Sequence, residues 1–153
     1  NSQKYLNHKI RCLLMTKKYY IDTNIFRDYY ENRVDKYKPL GFFANKLLQK
    51  IIKEGDKVII SDITEAELGV PYSKEEIQDI LAPLNEEQSI ENIKISEKQV
   101  KESIDLAKEK NVPFADAAHA ILARDNNAIL VTRDKDFNKL LHIKEYKKPE
   151  DLV

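Results

Sequence analysis

The sequence predicts an α/β fold: a parallel β-sheet flanked by helices on both faces. Short apolar runs at residues 19–21, 57–61 and 128–132 are too brief for helices and read as buried strands. Segments with helical spacing separate them, and strands that alternate with helices form parallel sheets covered on both sides. Helix start and stop residues, among them Gly55, Ser73, Ser96 and Pro113, fall between these segments.

Residues 1–14 precede the only methionine, Met15. Two readings stay open there. Met15 is a natural start, which makes residues 1–14 an upstream or expression-derived extension of a domain spanning 15–153. Alternatively, Tyr5, Ile10, Leu13 and Leu14 belong to a genuine N-terminal helix, since their spacing is loosely helical. Arg11 interrupts the short apolar stretch at 10–15, so a signal peptide is not expected.

Residues 19–21 form the first strand and end at Asp22; residues 24–31 form a helix. Pro39 opens a second helix with Phe42, Phe43, Leu47, Ile51 and Ile52 on one side, stopped by Gly55. The strand at 57–61 leads to helices at 62–68 and 74–81, the latter capped by Ser73. A strand at 92–95 reaches Ser96, the cap of a helix at 97–110 with Val100, Ile104 and Ala107 on one stripe. Pro113 begins a small-residue helix that runs to about Asn126. The strand at 128–132 is followed by Asp134, a short helix and a last edge strand at 143–146.

Of 153 residues, 42% are hydrophobic and 34% charged, which suits a soluble α/β domain with a heavily charged surface. Cys12 is the only cysteine, which excludes an internal disulfide and a multi-cysteine zinc site and fits a cytoplasmic location. No apolar run is long enough to span a bilayer, so no membrane partner is expected. The 26 basic and 26 acidic residues balance, unlike the basic excess common in nucleic-acid binders. An enzyme that gathers carboxylates around cations reaches the same balance another way.

Ligands of open parallel sheets bind beyond the carboxyl ends of the strands. Asp22 and Asp134 fall at that address; Glu67 lies about one turn into the helix after the 57–61 strand, and Asp116 in the first turn of the helix begun at Pro113. Four carboxylates at one sheet edge repel unless cations neutralise them. All-oxygen ligation at a partly aqueous site favours Mg²⁺ or Mn²⁺. Each acid also has a plain structural reading. Asp22 and Asp134 can cap helices, Asp116 suits a helix dipole, and Thr64 with Glu67 has the spacing of a capping box. No Ser-His-Asp order, zinc spacing or glycine-rich phosphate loop competes.

Four ordered segments resemble the PIN-domain nucleases, most closely the VapC-like toxins of prokaryotic toxin–antitoxin pairs. They are Tyr20-Ile21-Asp22-Thr23-Asn24-Ile25-Phe26, Ile60-Ser61-Asp62-Ile63-Thr64-Glu65-Ala66-Glu67-Leu68, Phe114-Ala115-Asp116-Ala117-Ala118-His119-Ala120 and Leu130-Val131-Thr132-Arg133-Asp134-Lys135-Asp136-Phe137. The resemblance implies a three-layer sandwich and metal-dependent cleavage of RNA. It implies that Asp22, Glu67, Asp116 and Asp134 hold Mg²⁺ or Mn²⁺, with Asp136 an additional or alternative ligand. It favours Glu67 over Glu65, and gives Thr23, Asn24 and Thr132 supporting roles. It further implies a homodimer and a small antitoxin partner.

Arg27, Arg133 and Lys135 are candidate RNA contacts. Arg33, Lys36 and Lys38, interleaved with Tyr29, Tyr30 and Tyr37, form a second basic and aromatic stretch that suits RNA or a partner helix. His119, one turn after Asp116, reads more readily as a structural histidine than as a functional one. Two other roles stay open: a housekeeping PIN nuclease that trims stable RNA, and a PIN scaffold that binds without cutting.

Overall fold

Alternate residues of the central strands enter different cores, and that alternation builds the three layers. The computed structural model describes the backbone of residues 1–153 and the side chains of all but residues 11–15. After helix α1 (Ser2–Met15) come β1 (Lys18–Ile21), α2 (Thr23–Glu31), α3 (Leu40–Glu54), β2 (Lys57–Ser61), α4 (Asp62–Leu68) and α5 (Lys74–Glu86). The chain continues through β3 (Ile90–Ile93), α6 (Glu97–Lys110), α7 (Phe114–Asp125), β4 (Ile129–Val131) and β5 (Tyr146–Lys147). Single 3-10 segments cover Lys135–Leu140 and Pro149–Asp151. The strands lie in the order β3-β2-β1-β4-β5, and every neighbouring pair is parallel.

Tyr19, Ile21, Val58, Ile60 and Val131 face one core, packed by Phe26, Leu47, Ile51, Leu68, Ile80 and Leu84. Tyr20, Ile59 and Leu130 face the other, packed by Leu106, Ala117, Ile121, Phe137 and Leu140. Each fully buried aliphatic side chain stabilises the fold by about 1.5–3 kcal/mol relative to exposure. The predicted α/β class, with a parallel sheet flanked by helices on both faces, is the observed one.

In two helices the buried face matches the expected one only in part. In α3 the buried positions are Gly41, Ala44, Leu47, Leu48 and Ile51, while Phe42 is half-exposed beneath Lys46. The reason lies at Gly41, where α3 meets α2. A Cβ there would sit 2.7 Å from both the Asp28 carbonyl oxygen and Asn32 Cα, so the closest contact requires glycine. In α6, Ser103 and Leu106 are buried and Ile104 is exposed. The small Ser103, whose hydroxyl donates to the Gln99 carbonyl at 2.7 Å, serves the close packing against alanine-rich α7.

Two strands lie elsewhere than expected. β3 starts two residues early, because Val58 N–H donates to the Ser89 carbonyl and fixes the register there. β5 begins only at Tyr146, because Ile143 N–H is spent on a turn to Leu140. Helix α5 runs past the expected stop at Leu81 and through Pro83, with Leu84 buried beyond it. In α1, Tyr5, Leu6 and Ile10 are exposed, and the side chains of Cys12, Leu13, Leu14 and Met15 lie outside the described residues. Among the described residues, no helix is long and apolar enough to cross a membrane.

Candidate active site

The chain runs from β1 toward β3 on one side of the sheet and returns to β4 on the other. The strand order therefore reverses between β1 and β4, where parallel sheets open a crevice at their carboxyl ends. Asp22 and Asp134 emerge on either side of it.

Asp22 N–H donates to the Val131 carbonyl at 2.9 Å, which extends the ladder by one residue and aims the carboxylate into the crevice. Asp22 occupies the N-cap position of α2, yet its side chain makes no cap bond. It instead accepts from Thr132 Oγ1 at 2.8 Å, and that same hydroxyl accepts from the Asp134 amide at 3.0 Å. Asp134 does cap the following 3-10 turn, since its Oδ1 accepts from Asp136 N–H at 2.9 Å.

Glu67 has no capping role. The cap of α4 is Ser61, which accepts from Thr64 N–H, so Thr64 lies within the helix. Glu67 Oε1 accepts from Thr23 Oγ1 at 2.8 Å and meets His119 Nε2 at 2.5 Å. His119 is fully buried on α7, and its Nδ1 lies 2.6 Å from the Tyr20 hydroxyl. Asp116 sits one helical turn before it.

One potential ligand atom from each of Asp22, Glu67 and His119 lies within 4.8 Å of the others, and the same holds for Asp116, Asp134 and Asp136. All four predicted acids, with Asp136, thus fall into two adjoining groups. Burial pushes the Asp116 carboxyl up to about 7, and the nearby Asp22 and Asp134 charges push the same way. Asp22 is also raised, first by burial, against the pull of His119 and the Thr132 bond. Glu67 lies below its ordinary value: burial raises it, but hydrogen bonds from His119 and Thr23 outweigh that. Among the described residues, no Lys or Arg forms an ion pair with Asp22, Asp116 or Asp134. Converging carboxylates without a cationic side chain are the donor set a hard divalent cation fits.

The surrounding candidates divide. Thr23 and Thr132 are buried within the cluster. Asn24 is exposed and makes no side-chain hydrogen bond among the described residues; it lines a groove of about 250 Å³ with Thr23, Arg27, Glu67, Val70 and Pro71. Arg27 reaches this groove while paired with Glu31 at 3.5 Å. Lys135 is exposed.

Arg133, a candidate RNA contact, is held among protein carboxylates. Its guanidinium is mostly buried between Glu150 at 2.8 Å and Asp28 at 3.7 Å, where it ties the loop before Asp134 to α2 and to the 3-10 turn at Pro149–Asp151. In the basic and aromatic stretch, Arg33 pairs with Glu31, Lys38 with Glu150, and Tyr30 stacks edge-on against Tyr72. Tyr37 alone stands 99% exposed. The residue that sequence reasoning underweighted is His119. A histidine among Ala117, Ala118 and Ala120, one turn from an acid, signals a buried polar contact without naming its partner.

The sequence model of the PIN domain family matches residues 19–141. No curated protein matches the chain. Among solved structures, it is similar to a toxin–antitoxin complex from Klebsiella pneumoniae, with a TM-score of 0.60 and 23% identity over 86% of this chain and 97% of that one. VapBC-1 from nontypeable Haemophilus influenzae gives a TM-score of 0.59 at 20% identity, covering 87% and 98% of the two chains. VapBC2 from Rickettsia felis, bound to a DNA fragment from its promoter, gives 0.56 at 25% identity, covering 80% and 92%.

Proposed function

This chain belongs to the PIN domain family, and from that premise we propose that it is a Mg²⁺- or Mn²⁺-dependent endoribonuclease, the toxin of a toxin–antitoxin pair. The observation that carries the reading is the cluster of Asp22, Glu67, Asp116 and Asp134 at the reversal of strand order, with Asp116 pushed up to about 7. Structural neighbours described as toxin–antitoxin complexes support the biological role and an antitoxin partner; a homodimer belongs to the same proposal. The nuclease domain in this reading is residues 15–153, with 1–14 an extension.

Asp22, Glu67, Asp116 and Asp134 would hold the cation, with Asp136 adjoining as a further carboxylate. When bound, such a cation supplies Lewis-acid charge to a phosphodiester and favours ionisation of an attacking water. The chain's own residues set the geometry. Thr132 joins Asp22 to the loop that carries Asp134, so the two sides of the crevice share one hydroxyl. Thr23 and His119 hold Glu67. Asp116 titrates near neutrality without a cation, so loading is coupled to release of its proton. The groove beside Thr23, Asn24 and Arg27 offers the phosphate chain a path away from the acids, with Arg27 and exposed Lys135 as cationic contacts. Hydrolysis would form a new P–O bond from water and break one P–O ester bond, the water losing one proton and the departing alkoxide gaining one.

An intact acid set argues against a scaffold that only binds. The test is RNA cleavage by the purified protein with Mg²⁺ or Mn²⁺, compared with EDTA and with Asp116→Asn. Cleavage lost in both supports the reading; a folded Asp116→Asn protein that cuts like wild type refutes it. Growth arrest on expression, abolished by Asp22→Asn, separates a toxin from an RNA-processing enzyme.

A further inference from the structure

We propose that His119 is a positioning residue: it clamps one oxygen of Glu67 and leaves the other available to a cation. The inference rests on the metal-dependent reading above and adds an atom-level role that the acid set alone does not supply.

Glu67 lies in the last turn of a seven-residue helix, and its side chain is 36% exposed. Alone, a glutamate at such a place samples several rotamers and holds no fixed ligand geometry. Two donors converge on the same atom, Oε1: Thr23 Oγ1 at 2.8 Å and His119 Nε2 at 2.5 Å. Among the described residues, Oε2 receives no hydrogen bond. The carboxylate is therefore used asymmetrically, one oxygen tethered and one available.

The tether is itself braced. His119 Nδ1 lies 2.6 Å from the Tyr20 hydroxyl, which lies 2.6 Å from Ser61 Oγ; Ser61 Oγ accepts from Thr64 N–H at 3.1 Å. One proton arrangement that serves the whole chain of bonds has Ser61 O–H donating to Tyr20, Tyr20 O–H to Nδ1, and Nε2–H to Glu67. Both ring nitrogens are then spent, so in this arrangement the ring is not a ligand. It orients one. Because α7 carries both His119 and Asp116, the clamp fixes Glu67 relative to Asp116, although they come from separate helices. It also gives Tyr20 and Ser61 a purpose for polar groups buried on otherwise apolar strands.

The experiment measures Mn²⁺ binding to the full chain by electron paramagnetic resonance, independently of cleavage. Wild type, His119→Leu, His119→Gln, Tyr20→Phe and Asp22→Asn are compared. His119→Leu is expected to weaken Mn²⁺ binding by about 10–100-fold. His119→Gln, which restores an N–H toward Glu67, should recover most of that loss, and Tyr20→Phe should show a smaller one. Electron spin-echo modulation of the wild-type Mn²⁺ complex should lack a directly bound nitrogen.

A folded His119→Leu protein with wild-type affinity overturns the clamp, and so does a directly bound histidine nitrogen. If His119→Leu does not fold, Tyr20→Phe decides: weakened Mn²⁺ binding supports the clamp, and wild-type affinity overturns it. Failure of the metal reading looks different: wild type itself, and not only the His119 variants, then fails to bind Mn²⁺.

Discussion

Replacing Thr132 with Val removes a single hydroxyl from the centre of the acid cluster and leaves the branched shape of the side chain. Thr132 is fully buried, donates to Asp22 Oδ2 at 2.8 Å and accepts from the Asp134 amide at 3.0 Å. A hydrogen bond to an ionised group contributes about 1.5–3 kcal/mol and a neutral one about 1 kcal/mol, so the metal-free protein should lose about 2.5–4 kcal/mol. For a domain of 153 residues, each kcal/mol lowers the melting temperature by about 2–4 °C, which gives a fall of about 5–16 °C near pH 8. Burial already raises the Asp22 carboxyl, and losing the Thr132 bond raises it further. The deficit should therefore narrow in acid, where Asp22 is protonated and the lost bond is a neutral one. Thermal denaturation followed by circular dichroism at both pH values reads the effect, with Thr132→Ser as the variant that keeps the hydroxyl. Equal melting temperatures for wild type and Thr132→Val at the alkaline pH would refute the reasoning.

Gly41→Ala should destabilise the protein by about 1–3 kcal/mol in chemical denaturation, because the new Cβ would lie 2.7 Å from the Asp28 carbonyl oxygen and Asn32 Cα, backbone atoms that cannot swing aside. The pH dependence of the metal-free fold follows from Asp116, whose carboxyl rises from the ordinary value of 3.8 to about 7 through burial and the neighbouring Asp22 and Asp134. A raised carboxyl binds its proton more tightly when folded, so its contribution is full below about pH 4 and is lost as pH rises through about 7. The melting temperature in EDTA should fall across that window, Asp116→Asn should flatten the fall, and Mn²⁺ should restore stability most on the alkaline side, all measurable by scanning fluorimetry.

Much of the fold was legible because its signals are local. The apolar run ending at Asp22, the one ending at Ser61 and the one before Thr132 are strands by composition alone. Ser73, Ser96 and Gly55 act where their chemistry places them, as N-caps and a left-handed C-cap. What failed depends on partners distant in sequence. Phe42 and Ile104 are large apolar residues left exposed, because helix approach is set by the small Gly41 and Ser103, which composition ranks low. Thr64 and Glu67 have capping-box spacing, but spacing alone does not show that Ser61, the last residue of β2, is the residue that caps this helix. Arg133 looked like a surface cation because nothing adjacent in sequence announces Asp28 and Glu150. The acid set was readable from order and element; the use of His119 was not, since its two partners come from β1 and α4.

The β1–β4 pairing also has a temporal meaning. The hydrogen bond between Thr132 and Asp22 joins residues 110 positions apart. Chains emerge from synthesis N-terminus first, and contacts between distant residues form only after the loop between them has closed. Asp22 and Glu67 are thus made early and wait for Asp116 and Asp134. Under the proposed reading, a half-made chain, still attached to the machinery that builds it, would hold only half of the carboxylates that cutting its own transcript requires.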